Sequence, residues 1–235
     1  MKKGSYKEYL ETLSKIGKAI TSDLYLEDIL KLIVTLTANV MNAKICSLWL
    51  LDEKDRTLRI RATQAMSEEY LKERILKVGE GIVGLVAKEK RPIVILDVLK
   101  DPRYKEKTLA KKENLASMLS VPMMVKNKVI GVINCYTTTL YSFSESDTDL
   151  LTAVANQAAV AIENTELLVK TKIIQEELEA RKRIEKAKGI LMKEKGFSEE
   201  QAYELIRTTS MNKRLTMNDV ADAIILSYEI KSLDK

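Results

Sequence analysis

Residues Arg181–Ser210 read RKRIEKAKGILMKEKGFSEEQAYELIRTTS. Seven basic and two acidic residues fall between Arg181 and Lys195, a local excess of five positive charges that equals the net charge of the whole chain. On a helical wheel Ile184, Ala187 and Leu191 form an apolar stripe. Arg181, Lys188 and Lys195 line one flank, and Lys182, Lys186 and Lys193 form the opposite ridge. Ser198, followed three residues on by Gln201, is the signature of a capped second helix. The positions expected to face the core are Ala202, Leu205, Ile206 and Thr209, and Tyr203 and Arg207 share a face one turn apart. Thr216 and Asp219 open a third helix carrying Met217, Val220, Ala221, Ile224 and Tyr228. The chain therefore ends in a small three-helix bundle with a basic first helix.

Upstream the pattern changes. Ile45–Asp52 and Thr57–Thr63 are strand-like, short helices are expected over Ser67–Arg74 and from Gly81, and an apolar run follows at Pro92–Ile95. After a charged loop, Ser117–Val125 and Lys128–Thr138 form two strands joined by a tight turn. Ser144, with acidic residues after it, starts a helix that meets no glycine or proline until Gly189. At the amino end, Tyr6, Tyr9, Leu13, Ile16 and Ile20 are spaced as a heptad seam, and Val154, Ala158, Ala161 and Leu168 keep the same rhythm later. These positions are the expected dimer seam.

Composition limits the chemistry. The 235 residues are 46% hydrophobic and 31% charged, as in an ordinary globular chain of one large or two modest domains. No apolar run has membrane-spanning length, and the start lacks a signal-peptide core, so a cytoplasmic location is expected. Histidine is absent, which removes the commonest metal ligand and the Ser-His and Cys-His catalytic arrangements. Cys46 and Cys135 lie in apolar runs, as buried free thiols do. No metal, haem or bilin cofactor and no catalytic residue is expected.

Two resemblances follow from these stretches. The carboxy-terminal pattern resembles the ANTAR family, on Arg181, Ile184, Glu185, Ala187, Lys188, Gly189, Leu191, Met192, Ala202, Tyr203, Arg207, Ser210, Val220 and Ala221. Residues 21–165 resemble a GAF domain, on SLWLLDEKDRTLRIRAT, GEGIVGLVAKEKRPIVILD, LSVPMMVKNKVIGVINCYTT and FSESDTDLLTAVANQAAVAIEN. Together they imply an α+β fold: a GAF-type antiparallel sheet with helices, joined by a long helix to an all-α three-helix bundle. The expected domains are an amino-terminal dimerisation helix (1–20), a GAF sensor (21–165), a coiled-coil linker (166–178) and an ANTAR domain (179–235).

The ANTAR resemblance implies a transcription antitermination regulator that binds paired RNA stem-loops as a homodimer. Candidate RNA contacts are Arg181, Lys182, Lys186, Lys188, Lys193, Tyr203, Arg207, Lys213 and Arg214, with the Tyr203 ring and the Arg207 guanidinium suited to stacking on loop bases. The GAF resemblance implies a small-molecule pocket, for which Trp49, Met118, Met123 and Cys135 are candidates. Gly79-Glu-Gly-Ile-Val-Gly84 spells a dinucleotide fingerprint, but no buried strand precedes it, so a glycine turn opening a helix is the better reading. No cyclic-nucleotide motif and no loop cysteine for a tetrapyrrole or for sulfoxide reduction is present. Two other readings stay open: a DNA-binding regulator with a GAF sensor, and a sensor acting on a protein partner. Against the first, Glu199, Glu200, Asp219 and Asp222 crowd the helix starts where a recognition helix would meet phosphate.

Overall fold

A computed structural model describes residues 6–22, 25–65 and 74–233. The helix expected over Ser67–Arg74 lies almost wholly outside the described residues, as does the side chain of Tyr6. The chain divides into two compact units between Thr165 and Glu166.

The first unit begins with helices α1 (Tyr6–Ile20) and α2 (Leu26–Val40). Strands β1 (Ile45–Asp52), β2 (Thr57–Thr63) and β3 (Ile75–Lys77) precede helix α3 (Gly81–Glu89). Then come β4 (Ile93–Ile95), the short helix α4 (Lys107–Lys112), and the hairpin of β5 (Met118–Val125) and β6 (Lys128–Tyr136). All neighbouring strands are antiparallel, in the order β3-β2-β1-β6-β5-β4. Side chains alternate across a strand, so the two sheet faces build two cores. One face carries Cys46, Leu48, Leu119, Val121, Met123, Ile133 and Cys135 against α1, α2 and the first turns of a long helix, α5 (Glu145–Lys195). The other carries Ile45, Trp49, Met118, Val132 and Tyr136 against α3 and α4.

Helix α5 runs unbroken for 51 residues, and its start is capped reciprocally. The Ser144 hydroxyl accepts from the Asp147 amide at 3.2 Å, while Asp147 Oδ2 accepts from the Ser144 amide at 2.8 Å. Its early residues Leu151, Val154, Ala155, Ala158 and Ala159 are wholly buried in the first core. From Glu166 to Glu179 every residue is exposed.

The second unit packs the last turns of α5 against α6 (Glu199–Lys213) and α7 (Met217–Leu233). Ala187, Leu191, Ala202, Ile206, Val220 and Ala221 form its core. Ser198 and Gln201 make the capping box that their spacing predicts, and Thr216 and Asp219 cap α7 in the same reciprocal way. Leu205, expected inside, is 41% exposed.

The seam expected for dimerisation is largely consumed within the chain. Ile16, Val154 and Ala158 are 0% exposed and Ala161 2%, while Tyr9, Leu13 and Ile20 pack partly buried on the same core. A buried stripe on a helix satisfies a heptad spacing as well as a partner would. Of the expected seam residues with described side chains, only Leu168, 70% exposed, stands in the open.

Candidate functional site

The basic helix of the second unit presents its charges unequally. Lys188, expected on a phosphate-facing flank, is only 7% exposed. Its ammonium donates to Glu199 Oε1 at 2.7 Å and to both Glu185 carboxylate oxygens at 2.9 and 3.0 Å. The position lies beside Ala187 and Leu191 on the inner face of α5, and it ties α5 to the first turn of α6. The bonds to Glu199 and then Glu185 raise the Lys188 pKa, and Lys188 in turn lowers that of Glu199.

The sign of the linkage sets a pH window. Glu199 contributes stability above its ordinary value of 4.5, lost as pH falls through the lowered folded value. Lys188 contributes below its ordinary 10.5, lost as pH rises through the raised folded value. Lys188→Met keeps the apolar stem and removes the charge. Between neutral pH and well below the ordinary glutamate value, its melting temperature is expected to fall less steeply than the wild type's, followed by circular dichroism. Superimposable acid limbs would show that the pair contributes nothing to this dependence.

The ridge of Lys182, Lys186 and Lys193 is exposed but partnered. Lys186 pairs with Glu229 at 2.8 Å and Lys182 with Glu179 at 2.9 Å. Lys193 sits 5.9 Å from the centre of the Tyr228 ring and donates to its hydroxyl at 3.3 Å. Arg183 reaches Asp222 at 3.3 Å. Half-exposed pairs of this kind are worth little and exchange readily for a phosphate. Arg181, Lys213 and Arg214 are exposed and, among the described residues, make no ion pair. Tyr203 and Arg207 stand out on α6, 44% and 56% exposed respectively, with Arg207 3.6 Å from Glu204. Gly189 lies exposed in mid-helix with nothing within 4 Å, so the backbone beside the Lys182–Lys186–Lys193 ridge is bare. Glycine there costs helix stability of about 1 kcal/mol relative to alanine.

The four pocket candidates of the first unit do not share a face. Trp49 and Met118 belong to the core under α3 and α4, Met123 and Cys135 to the core under α1, α2 and α5. Cys135 faces Cys46 in register across β1 and β6; both thiols are free and buried, and burial pushes Cys46 well up. Instead, a polar row crosses the sheet on the α3 face. Ser47, Asn134 and Ser120 are paired neighbours on β1, β6 and β5, each 0% exposed. The Ser120 hydroxyl donates to Asn134 Oδ1 at 2.6 Å, and the Trp49 indole donates to the Ser47 hydroxyl at 3.3 Å. The Asn134 amide nitrogen is buried without an acceptor among the described residues. A buried donor left without a partner is costly and calls for an explanation. Around the row lie the edge-on rings of Tyr104 and Tyr136, and the Arg74 guanidinium sits 5.5 Å from the Trp49 ring, bonded to Glu106 at 2.8 Å. The signal for this row was present in the sequence, as one polar residue at alternate positions of otherwise apolar strands (CSLW, LSVP, VINC).

Comparison with known proteins divides the chain the same way. The GAF domain profile matches residues 24–163 and the ANTAR domain profile residues 173–225. The Phosphoenolpyruvate-dependent phosphotransferase system protein of Escherichia coli (strain K12) is 27% identical over 158 residues, covering 67% of this chain. The chain spans only 21% of that protein's length. Transcriptional regulatory protein PdtaR of Mycobacterium tuberculosis (strain ATCC 25618 / H37Rv) is 28% identical over 189 residues, which is 75% of this chain and 88% of PdtaR. Among solved structures, the GAF domain of an Acinetobacter phosphoenolpyruvate-protein phosphotransferase superposes with a TM-score of 0.61 at 27% identity, over 71% of this chain and 99% of that one. Free methionine-R-sulfoxide reductase from Neisseria meningitidis shares the fold, with a TM-score of 0.60 at 19% identity over 70% and 95% of the two chains.

Proposed function

Because this chain belongs to the GAF family and carries an ANTAR domain behind its GAF domain, we propose that it is a signal-responsive, RNA-binding regulator of transcription antitermination. The observation that carries this reading is the GAF match followed by the ANTAR match in this chain, and the similarity to a transcriptional regulatory protein over most of that protein's length supports it. The target is a paired stem-loop RNA. Arg181, Lys182, Lys186, Lys193, Lys213 and Arg214 supply phosphate contacts, while Tyr203 and Arg207 take an unstacked loop base. Lys188 acts beneath that surface, holding α6 in place, a role supported by its burial between two carboxylates.

The GAF unit receives the signal. The Ser47–Asn134–Ser120 row is the chemistry a small ligand meets, and the Asn134 amide offers it a donor. No helix among the described residues is long and apolar enough to cross a membrane. Homodimerisation fits the stretch 166–178, where Leu167, Leu168, Ile174 and Leu178 are each at least half exposed. With Val160, the residues Leu167 and Ile174 fall at seven-residue intervals, the spacing of a coiled-coil seam. The signal would shift this helix between two states and change the display of two output bundles.

A fluorescence titration of the full chain tests the reading. The probes are a two-hairpin RNA from a leader transcript, a single hairpin, a scrambled RNA and duplex DNA at one salt concentration. The paired hairpins are expected to bind most tightly, with affinity falling steeply as salt rises. Equal binding to duplex DNA would favour a DNA regulator. No binding with or without a metabolite extract would leave the reading without support and favour a protein partner.

A further inference from the structure

A second site lies on the first unit, away from the polar row. Three turns meet around a concavity of about 390 Å³. They are the β1–β2 turn, the end of α3 and the β5–β6 turn. It brings together Arg56, Lys88, Lys90 and Lys128, with Glu53 the one acidic group. Leu51 and Val129 give it an apolar floor. Leu51 lies four residues beyond Ser47 on β1 and Val129 five before Asn134 on β6, so this cleft and the polar row occupy different stretches of the same strands.

Two of the four cations are engaged. Lys128 pairs with Glu53, and Lys90 donates to the Asn127 carbonyl at 2.9 Å. Arg56 and Lys88 make no ion pair among the described residues. The backbone sets where these cations stand. Arg56 and Lys90 have positive φ of 52° and 58°, and at the β5–β6 turn Lys126 and Asn127 have 47° and 66°. This conformation favours glycine, and the chain adopts it at Gly79, Gly81 and Gly196 as well as at Asn42, Asn114 and Arg214. At Lys90 it is the left-handed cap that ends α3, and at Arg56 it closes the β1–β2 turn, so both cations are held at the rim of the cleft.

We propose that this cleft binds a small organic anion bearing a phosphate or carboxylate group. Arg56 and Lys88 take the charged group, Lys90 and Lys128 add to the field, and the organic part lies on Leu51 and Val129. The volume falls within the range of about 300–1,000 Å³ typical of small-molecule sites. The RNA-binding reading is not needed for this assignment.

Isothermal titration of the full chain with phenyl phosphate, inorganic phosphate, benzoate and phenol tests it. Phenyl phosphate or benzoate is expected to bind saturably and more tightly than inorganic phosphate, with no heat from phenol. The two acids separate a phosphate from a carboxylate preference. R56Q/K88M, checked for its fold by circular dichroism, is expected to lose at least tenfold in affinity. Lys231→Met, which removes an exposed lysine of the second unit, is expected to leave it unchanged. Equal binding by the wild type and R56Q/K88M, or no saturable heat from either acid, would overturn the proposal.

Discussion

Replacing Gly84 by alanine is expected to destabilise the GAF unit by about 3 kcal/mol, the upper part of the range for overpacked sites. The melting temperature of that unit should fall by roughly 6–12 °C. Gly84 sits in the first turns of α3 and folds against the turn before it: its carbonyl accepts from the Gly79 amide at 2.7 Å. A Cβ at residue 84 would meet the Lys77 carbonyl and stand 2.9 Å from the Gly79 nitrogen. Both are backbone atoms, so no side chain can swing aside. Gly17 is the control, since nothing lies within 4 Å of it on helix α1. There alanine should be neutral or stabilising, by up to about 1 kcal/mol. Thermal melts of the two variants beside the wild type decide the matter, and equal melting temperatures for Gly84→Ala and Gly17→Ala would refute the packing argument. The same geometry accounts for the G-x-G-x-x-G spelling at residues 79–84 without a dinucleotide: Gly79 and Gly81 take positive φ, and Gly84 permits close approach.

The second large effect concerns RNA. Tyr203→Ala is expected to weaken binding of a cognate stem-loop by about 10- to 100-fold, since stacking one base on an aromatic ring is worth about 1–3 kcal/mol. The melting temperature should hardly move, because the packing of α6 rests on Ala202 and Ile206, both 0% exposed, and not on the open ring of Tyr203. Tyr203→Phe keeps the ring and should retain most of the affinity. Arg207→Ala should weaken binding too, with little change in its dependence on salt, since its guanidinium takes the loop base beside Tyr203. A Tyr203→Ala protein that binds as tightly as the wild type would remove the stacking role.

The sequence made much of this architecture readable because local and global signals agree. The strands Ile45–Asp52 and Thr57–Thr63 follow from alternation, and the ends of α5, α6 and α7 from Ser144, Ser198 and Thr216 with an acidic or amide partner three residues on. Strand β3 and helix α4 escaped because three and six residues, rich in charge, carry no usable period. The four pocket candidates divide between the faces by parity. Met118 and Met123 are five residues apart, and Trp49 is three from Cys46, the register partner of Cys135. Odd spacings in a strand point to opposite faces, so these four could not line one cavity. The seam residues are turned inward for a different reason. Spacing reports that a helix has an apolar face, and Ile16 and Val154 show that the chain's own core had claimed it. Lys188 likewise fell on a flank of the wheel, and only the position of Glu199 on the next helix reveals that the flank is covered.

That enclosed lysine also bears on how such a bundle drifts over generations. Neutralising Lys188 alone leaves Glu185 and Glu199 facing each other without their cation, and neutralising Glu199 alone leaves a half-compensated ammonium against the core. Interaction energies between touching charges are not additive, so a double change can be tolerated where each single step is penalised. Positions 185, 188 and 199 should therefore change together or not at all among descendants of this chain. The exposed pairs along the ridge, such as Lys186 with Glu229, are free to turn over one residue at a time.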